Sequence, residues 1–173
     1  MTTPWRLRQM ERDDAAAAVR ILNYYIETSL AAYASHPLSV DAFRSLLSSD
    51  ERYPALVAEG STGDVAGFSF LRPYNPYDTF SETATVTYFI APEHTRSGLG
   101  SVFLDALETH AQQAGIRHLL AHVASENDAS LAFHKAHGFR QCGAFHDIGC
   151  KHGRSFDVIW FEKQLPPESP GDA

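Results

Sequence analysis

Val86-Thr-Tyr-Phe-Ile-Ala-Pro-Glu-His-Thr-Arg-Ser-Gly-Leu-Gly-Ser-Val-Phe103 is the stretch that decides the fold. It reads as a strand, a Gly-bearing turn and the first turn of a helix. Before the turn, Ala84, Val86, Tyr88 and Ile90 alternate with Thr83, Thr85, Thr87 and Phe89. That period of two marks a half-buried strand. After the turn, Leu99, Val102, Phe103, Ala106, Leu107, His110, Ala111 and Ala114 recur at spacings of three and four. This is an amphipathic helix, closed by Gly115 as its left-handed cap. Gly98 and Gly100 remove side chains where the chain bends into the helix, so that bare N–H groups, aided by the helix dipole, can face an anion. The turn is not a P-loop, because no Lys follows Gly100, nor a dinucleotide fingerprint, because the three-glycine spacing is missing. A phosphorylated ligand is expected here; a plain tight turn is the competing reading.

A chain of 173 residues with 44% hydrophobic and 20% charged content is expected to form one globular domain. Residues 1–165 are assigned to it. The Pro-, Gly- and acid-rich residues 166–173 are expected to form a disordered tail. There is no apolar run of membrane-spanning length and no signal-peptide pattern at Met1, so cytoplasmic residence and no membrane partner are expected. Cys142 and Cys150 are then expected as free thiols. A formal charge of −7 disfavours nucleic acid as a partner. An anionic cofactor would have to be held by local donors and one or two cations. His118 and His122 fall on one strand and His134 and His137 on one helix, with no carboxylate or Cys cluster beside them, so no metal site is expected.

Outward from the central stretch, Trp5–Met10 reads as a strand. Asp13 caps a helix to about Ser29 that faces inward with Ala18, Ile21, Leu22, Tyr25 and Ile26. Ser39 caps a second helix carrying Ala42, Phe43, Leu46 and Leu47. Residues 56–58 and 65–71 form a hairpin across Gly60–Asp64. Residues 72–81 are an aromatic, Pro-rich loop able to line a pocket. His118–Ala124 is a strand, Asn127 or Asp128 heads a helix stopped by Gly138, and 139–148 and 156–164 are the last strands, linked through Lys151–Arg154. The order β-α-α-β-β-β-α-β-α-β-β is α/β of the mixed kind, because a central meander forbids an all-parallel sheet.

This order, with a Gly turn after the fourth strand and an Asn-headed helix after the fifth, resembles the GNAT superfamily of N-acetyltransferases. Asn23-Tyr-Tyr-Ile-Glu-Thr-Ser29, Arg52-Tyr-Pro-Ala-Leu-Val-Ala-Glu59 and Lys151-His-Gly153 with Asp157-Val158 resemble its phosphinothricin and amino-acid N-acetyltransferase branch. The resemblance implies a mostly antiparallel central sheet with flanking helices and an acetyl-CoA site. The diphosphate would lie on Thr95, Arg96, Ser97, Gly98, Leu99, Gly100 and Ser101. Thr95 departs from the family's Gln or Arg, and Arg96 is placed to supply the cation. The pantetheine arm would pair like a strand with Thr87, Tyr88, Phe89 and Ile90. Asn127 matches the family's cofactor-contacting Asn, with Ser130 in the same helical turn.

Acetyl transfer to an amine needs the amine deprotonated, positioned, its oxyanion held, and the thiolate stabilised. An oxyanion donor is expected among the backbone N–H groups near Phe89. His134 stands where the family usually places the Tyr that protonates the thiolate. Counting back from Gly98 puts the branch's catalytic Glu at Thr85, which cannot act as a base. Glu82, directly or through water, a water chain along Thr83, Thr85 and Thr87, or an acceptor of low pKa would have to fill the gap. Tyr33, Arg72, Tyr74, Tyr77, Lys151 and His152 are the candidate acceptor-site residues, Arg72 for a carboxylate or phosphinate. The implied activity is acetylation of a small amino-acid-like amine by a homodimer. The alternatives are a peptide or protein N-acetyltransferase, and an acyl-CoA sensor that has lost its base.

Overall fold

The computed structural model describes residues 5–167, and the part of the expected tail from 168 on lies outside them. The strands are β1 (Arg6–Gln9), β2 (Ala55–Glu59), β3 (Val65–Pro73), β4 (Thr83–Ile90), β5 (His118–Ala124), β6 (Arg140–Lys151) and β7 (Arg154–Gln164); the helices are α1 (Ala15–Thr28), α2 (Val40–Arg44), α3 (Leu99–Gln113) and α4 (Asp128–Ala136). They follow one another in the expected order. The seven strands form one sheet, ordered β1-β2-β3-β4-β5-β7-β6. Every neighbouring pair is antiparallel except β4 and β5.

Period-two patterning splits the core into two layers. Ala84 and Val86 of β4 join Leu99, Phe103, Leu104 and Leu107 of α3 in one buried cluster. Phe89 lies with Phe68 and Phe70 of β3 against Ile21, Leu22 and Ile26 of α1 on the opposite face. α3 is rotated slightly from the expected face, with Leu104 buried and His110 exposed. Gly115 has φ +74°, and Ile116 N–H returns to the Ala111 carbonyl at 2.8 Å, a left-handed stop.

Three local expectations are corrected. Asp14, not Asp13, organises the start of α1: it accepts the Glu11 N–H at 2.7 Å and a two-pronged contact from Arg8 at 2.6 and 2.8 Å. That fork holds the Asp14 carboxyl below its usual range. α2 stops at Arg44, so Leu46 and Leu47 pack from a following turn. The last hairpin is tighter than expected, because His152 and Gly153 alone make its turn, at φ +52° and +72°.

α1 and α2 cover the sheet only from β1 to β4. Among the described residues the same face of β5, β7 and β6 carries no helix, and Phe145 (55% exposed) and Ile148 (59% exposed) stand on it.

Candidate active site

β4 and β5 share only three rungs, Thr83–His118, Ala84–Leu119 and Thr85–Leu120. Past the third, β4 stays paired with β3 to Ile90 and β5 stays paired with β7 to Ala124. The sheet is therefore split between Thr87–Ile90 and Ala121–Ala124. Antiparallel pairing decides which backbone groups face the split. Tyr74 N–H donates to the Thr83 carbonyl at 3.3 Å and Ala91 N–H to the Ala66 carbonyl at 2.8 Å. The odd-numbered residues of β4 thus exchange bonds with β3, and the amides of Tyr88 and Ile90 turn to the split. This narrows the donor expected near Phe89 to its two neighbours, since the N–H of Phe89 itself faces Phe68. The Ile90 carbonyl is already taken, accepting from the Tyr25 hydroxyl at 2.7 Å.

Beyond Ile90 the chain makes a short 3-10 turn, Pro92–His94, and enters the Gly-bearing bend. The Thr95 hydroxyl donates to the Pro92 carbonyl at 2.9 Å and the Ser97 hydroxyl to the His94 carbonyl at 2.6 Å. Arg96 at φ +59° and Gly98 at φ +84° give the bend its shape. Ser101 and Val102 N–H return to the Gly98 carbonyl, so the amides ahead of them are the orphan donors of α3. The Arg96 side chain is exposed beside them. Gly98 meets a backbone demand. Gly100 meets a packing one besides its place in the turn: a Cβ there would lie 3.2 Å from the Phe133 ring.

On the α4 side of the split, Asn127 Oδ1 accepts the Ser130 N–H at 3.2 Å, capping the helix. His134 is 3% exposed, stacked on Phe161 and Tyr88. Its Nδ1 lies 2.7 Å from the Ser130 carbonyl, which can only accept. Nδ1 therefore carries the proton, and Nε2 accepts from the Tyr88 hydroxyl at 2.5 Å. Burial pushes the imidazole below its usual pKa and the Tyr88 phenol above its own. This corrects the reading of His134 as a free acid: both ring nitrogens are engaged, and the unit facing the split is a Tyr88–His134 pair. The Ser101 hydroxyl is likewise spoken for, donating to His137 Nε2 at 2.8 Å.

On the opposite face, register carries one row of side chains across three strands. Arg72 faces Thr85, Thr85 pairs with Leu120, and His122, two residues on, is the first side chain of that face past the last shared rung. The His122 ring stacks with Tyr33 (centroids 5.4 Å, 25° between planes) and lies 5.1 Å from Trp160. These residues wall a cavity of about 440 Å³ with Phe145, Ile148 and Phe156. A second cavity, about 360 Å³, lies between the end of α1, the start of α4 and the β6–β7 turn, touching Tyr25, Asn127, Lys151 and His152.

Of the expected acceptor residues, Tyr33 and Arg72 come together with His122, and burial raises the Tyr33 phenol to about 12. Lys151 has a structural task. At 3% exposure it donates to the Ser29 and Ala32 carbonyls at 2.8 and 2.6 Å, pinning the last hairpin to the loop after α1. Tyr74 packs on Phe80, Tyr77 is 70% exposed, and neither lines these cavities. Glu82 sits at the closed end of the β4–β5 pair, exposed, its carbonyl accepting from Arg117 and His118. Six residues of strand, roughly 20 Å, separate it from Tyr88, so it is not a base for the split. Sequence reading weighed His122 only as a metal ligand; its alternation with Leu120 gave the face it shares on β5, and the β4–β5 register makes that the face of Thr85.

The family model described as "Acetyltransferase (GNAT) domain" matches residues 7–160. The chain is 33% identical over 172 residues to a phosphinothricin N-acetyltransferase of Streptomyces viridochromogenes, covering 95% of this chain and 92% of that one. It is 28% identical over 173 residues to the L-methionine sulfoximine/L-methionine sulfone acetyltransferase of Salmonella typhimurium, covering 96% and 98%. Among solved structures, YncA of Salmonella typhimurium with its cofactor acetyl-CoA superposes at a TM-score of 0.83 with 27% identity, covering 98% of this chain and 99% of that one. A sheet split beside a left-handed Gly turn, matched along nearly its whole length, belongs to the GNAT family, and the chain is an acetyl-CoA-dependent N-acetyltransferase of that family.

Proposed function

We propose that the protein acetylates the primary amine of a small amino-acid-like acceptor of the phosphinothricin or methionine-analogue kind. The observation that carries this reading is the parting of β4 from β5 after Thr85–Leu120, with a bend of orphan amides at one end and an aromatic cavity on one face, where Arg72 stands in the same row as the cavity's His122. The residues fit acetyl-CoA. The amides around Gly98 and the exposed Arg96 suit a diphosphate, and the unpaired amides of Tyr88 and Ile90 suit a pantetheine strand. The thioester supplies the acyl carbon when bound. This chain's residues orient it, and the Tyr88 or Ile90 N–H meets the charge that develops on its oxygen.

For the acceptor, the exposed Arg72 guanidinium presents a fork suited to a carboxylate or phosphinate. The walls of Tyr33, Trp160 and Phe156 offer apolar surface to a side chain. The relatives' names support the same acceptor class. We further infer a cytoplasmic homodimer. Exposed Phe145 and Ile148 on an uncovered sheet face support the second copy, and two unbridged exposed thiols support a reducing compartment. No helix among the described residues is long and apolar enough to cross a membrane.

A thiol-release assay with acetyl-CoA and a panel of amino acids, phosphinothricin and methionine sulfone tests the reading. Turnover on free amino-acid-like amines is expected. Turnover on peptides alone would replace it with a peptide acetyltransferase, and tight acetyl-CoA binding without turnover would leave an acyl-CoA sensor.

A further inference from the structure

We propose that His122 is the catalytic base that takes the acceptor's ammonium proton, standing in from β5 for the carboxylate that Thr85 lacks on β4. The inference rests on the acetyltransferase reading above. Three geometric observations carry it. Register puts His122 on the face of Arg72 and Thr85, as the first side chain of that face past the last rung that β5 shares with β4. Its ring lines the 440 Å³ cavity. Its only hydrogen-bond contact among the described residues is Nδ1 with the Tyr33 hydroxyl at 3.4 Å, so Nε2 is uncontacted and, in the tautomer whose Nδ1–H donates to that hydroxyl, holds an open lone pair.

The surroundings keep that lone pair available. Burial, and then the Arg72 charge, push the His122 pKa below its ordinary 6.5, so the imidazole is neutral at pH 7. The groups facing it are Arg72 from β3, the Tyr33 phenol from the loop after α1, Trp160 from β7 with Glu162 further along the same face and held by Arg140, and Cys150 from β6; His134, across the sheet on the α4 side, is near enough to sense its charge. Among the described residues no carboxylate contact to the ring is found. Arg72 opposes positive charge on both partners of the transfer. It weakens the imidazole as a base and at the same time makes an ammonium bound beside it more acidic.

Two protons leave the acceptor nitrogen. The first passes from the ammonium to His122 Nε2 and then to bulk water, freeing the electron pair that forms the nitrogen–carbon bond. As the carbon–sulfur bond breaks, its pair stays on sulfur. The second proton leaves nitrogen and neutralises that thiolate, so one proton is released per turnover.

The test compares wild type, His122→Gln and His122→Gln/Thr85→Glu with the best acceptor of the panel, from pH 5.5 to 9.5. Calorimetric affinity for acetyl-CoA certifies the fold of each variant. In wild type, kcat/KM is expected to have an acid limb below pH 6.5. His122→Gln is expected to lose about 100-fold in kcat at pH 7, with unchanged acetyl-CoA affinity and a smaller deficit at pH 9.5, where free amine is more abundant. The double variant, with a carboxylate opposite Arg72, is expected to recover at least tenfold. A His122→Gln enzyme with wild-type kcat across the range would overturn His122 while leaving the acetyltransferase reading intact. A wild type that turns over no amine would remove both. Should His122→Gln lose acetyl-CoA affinity, the decision passes to the single variant Thr85→Glu, assayed down to about pH 4: an acid limb moved from the imidazole toward the carboxylate range supports the proposal, and an unaltered profile overturns it.

Discussion

Two histidines flank the split, and they differ in what their neighbours leave them free to do. His134 is enclosed by Tyr88, Phe139 and Phe161, donates to the Ser130 carbonyl and accepts from Tyr88. His122 is stacked by Tyr33 and flanked by Trp160 but opens on a cavity, with one long contact at Nδ1. Both are pushed below the ordinary imidazole pKa, with burial the larger cause in each case. A depressed pKa therefore does not separate a base from a core residue. An uncommitted lone pair facing a cavity does.

The largest expected difference between them is in stability. His134→Ala removes a fully packed ring and orphans the Tyr88 hydroxyl. By analogy with buried aromatic truncations it should cost about 3–4 kcal/mol, roughly a 10 °C fall in melting temperature for a chain of this size. His122→Ala gives up part of two ring contacts at a cavity wall and should cost about 1 kcal/mol. Urea unfolding of the two variants decides the matter. Equal losses would erase the contrast on which the division of labour rests.

A smaller effect is set by pH. A group with a depressed folded pKa stabilises the fold above its unfolded value, and that contribution is lost as pH falls through the folded pKa. For His134 the unfolded value is 6.5, so stability should decline on acidification below pH 6.5, at no more than about 1.4 kcal/mol per pH unit from this site. The carboxylates Asp14 and Asp157, held below the usual 3.8, act at still lower pH. Subtracting the curve of His134→Gln from that of wild type isolates the histidine. A difference that stays flat from pH 7 to 5 would mean that His134 titrates alike in both states. Tyr88→Phe sharpens the same point: it leaves Nε2 buried without a donor, and should cost about 1–3 kcal/mol at pH 7.

What could be read in the sequence was whatever depends on neighbours in the chain. The alternation of 83–90 and the three–four spacing of 99–114 are local, and so are the backbone demands at Gly98 and Gly115; both glycines have positive φ. Element order followed from the same signals. The site depended on neighbours in space. Glu82 looked plausible while only its distance along the chain from Thr85 was considered, but β4 opens at its other end. His122 lies 37 positions beyond Thr85 and reaches its face only because β5 runs parallel to β4 with Leu120 opposite Thr85. His134 was assigned from its family position alone, and its commitment to Tyr88 rests on the packing of α4 against β4. Lys151 was read as a substrate contact on the expectation that the last strands fold over the site; its two carbonyl partners come from a loop more than a hundred residues earlier.

The smallest expected effect concerns the charge that sets the two histidines apart. Arg72 acts on His122 from β3, whereas His134 senses His137 and His122 but no arginine. Arg72→Gln should move the acid limb of kcat/KM upward, toward the ordinary imidazole range. The movement should be partial, because burial outranks Arg72 as the cause of the depression. The same change removes the fork offered to an acidic acceptor, so KM for an amino-acid-like amine should rise about tenfold, an exposed charge-assisted pair being screened by water. Acetyl-CoA affinity should be untouched. These readouts separate the two roles: a higher KM with the limb unmoved leaves Arg72 as an anchor only, and a moved limb with KM unchanged leaves it as the charge that keeps His122 neutral. If both stay put while His122→Gln slows the enzyme, burial alone holds the imidazole neutral and the acidic group of the acceptor is bound elsewhere.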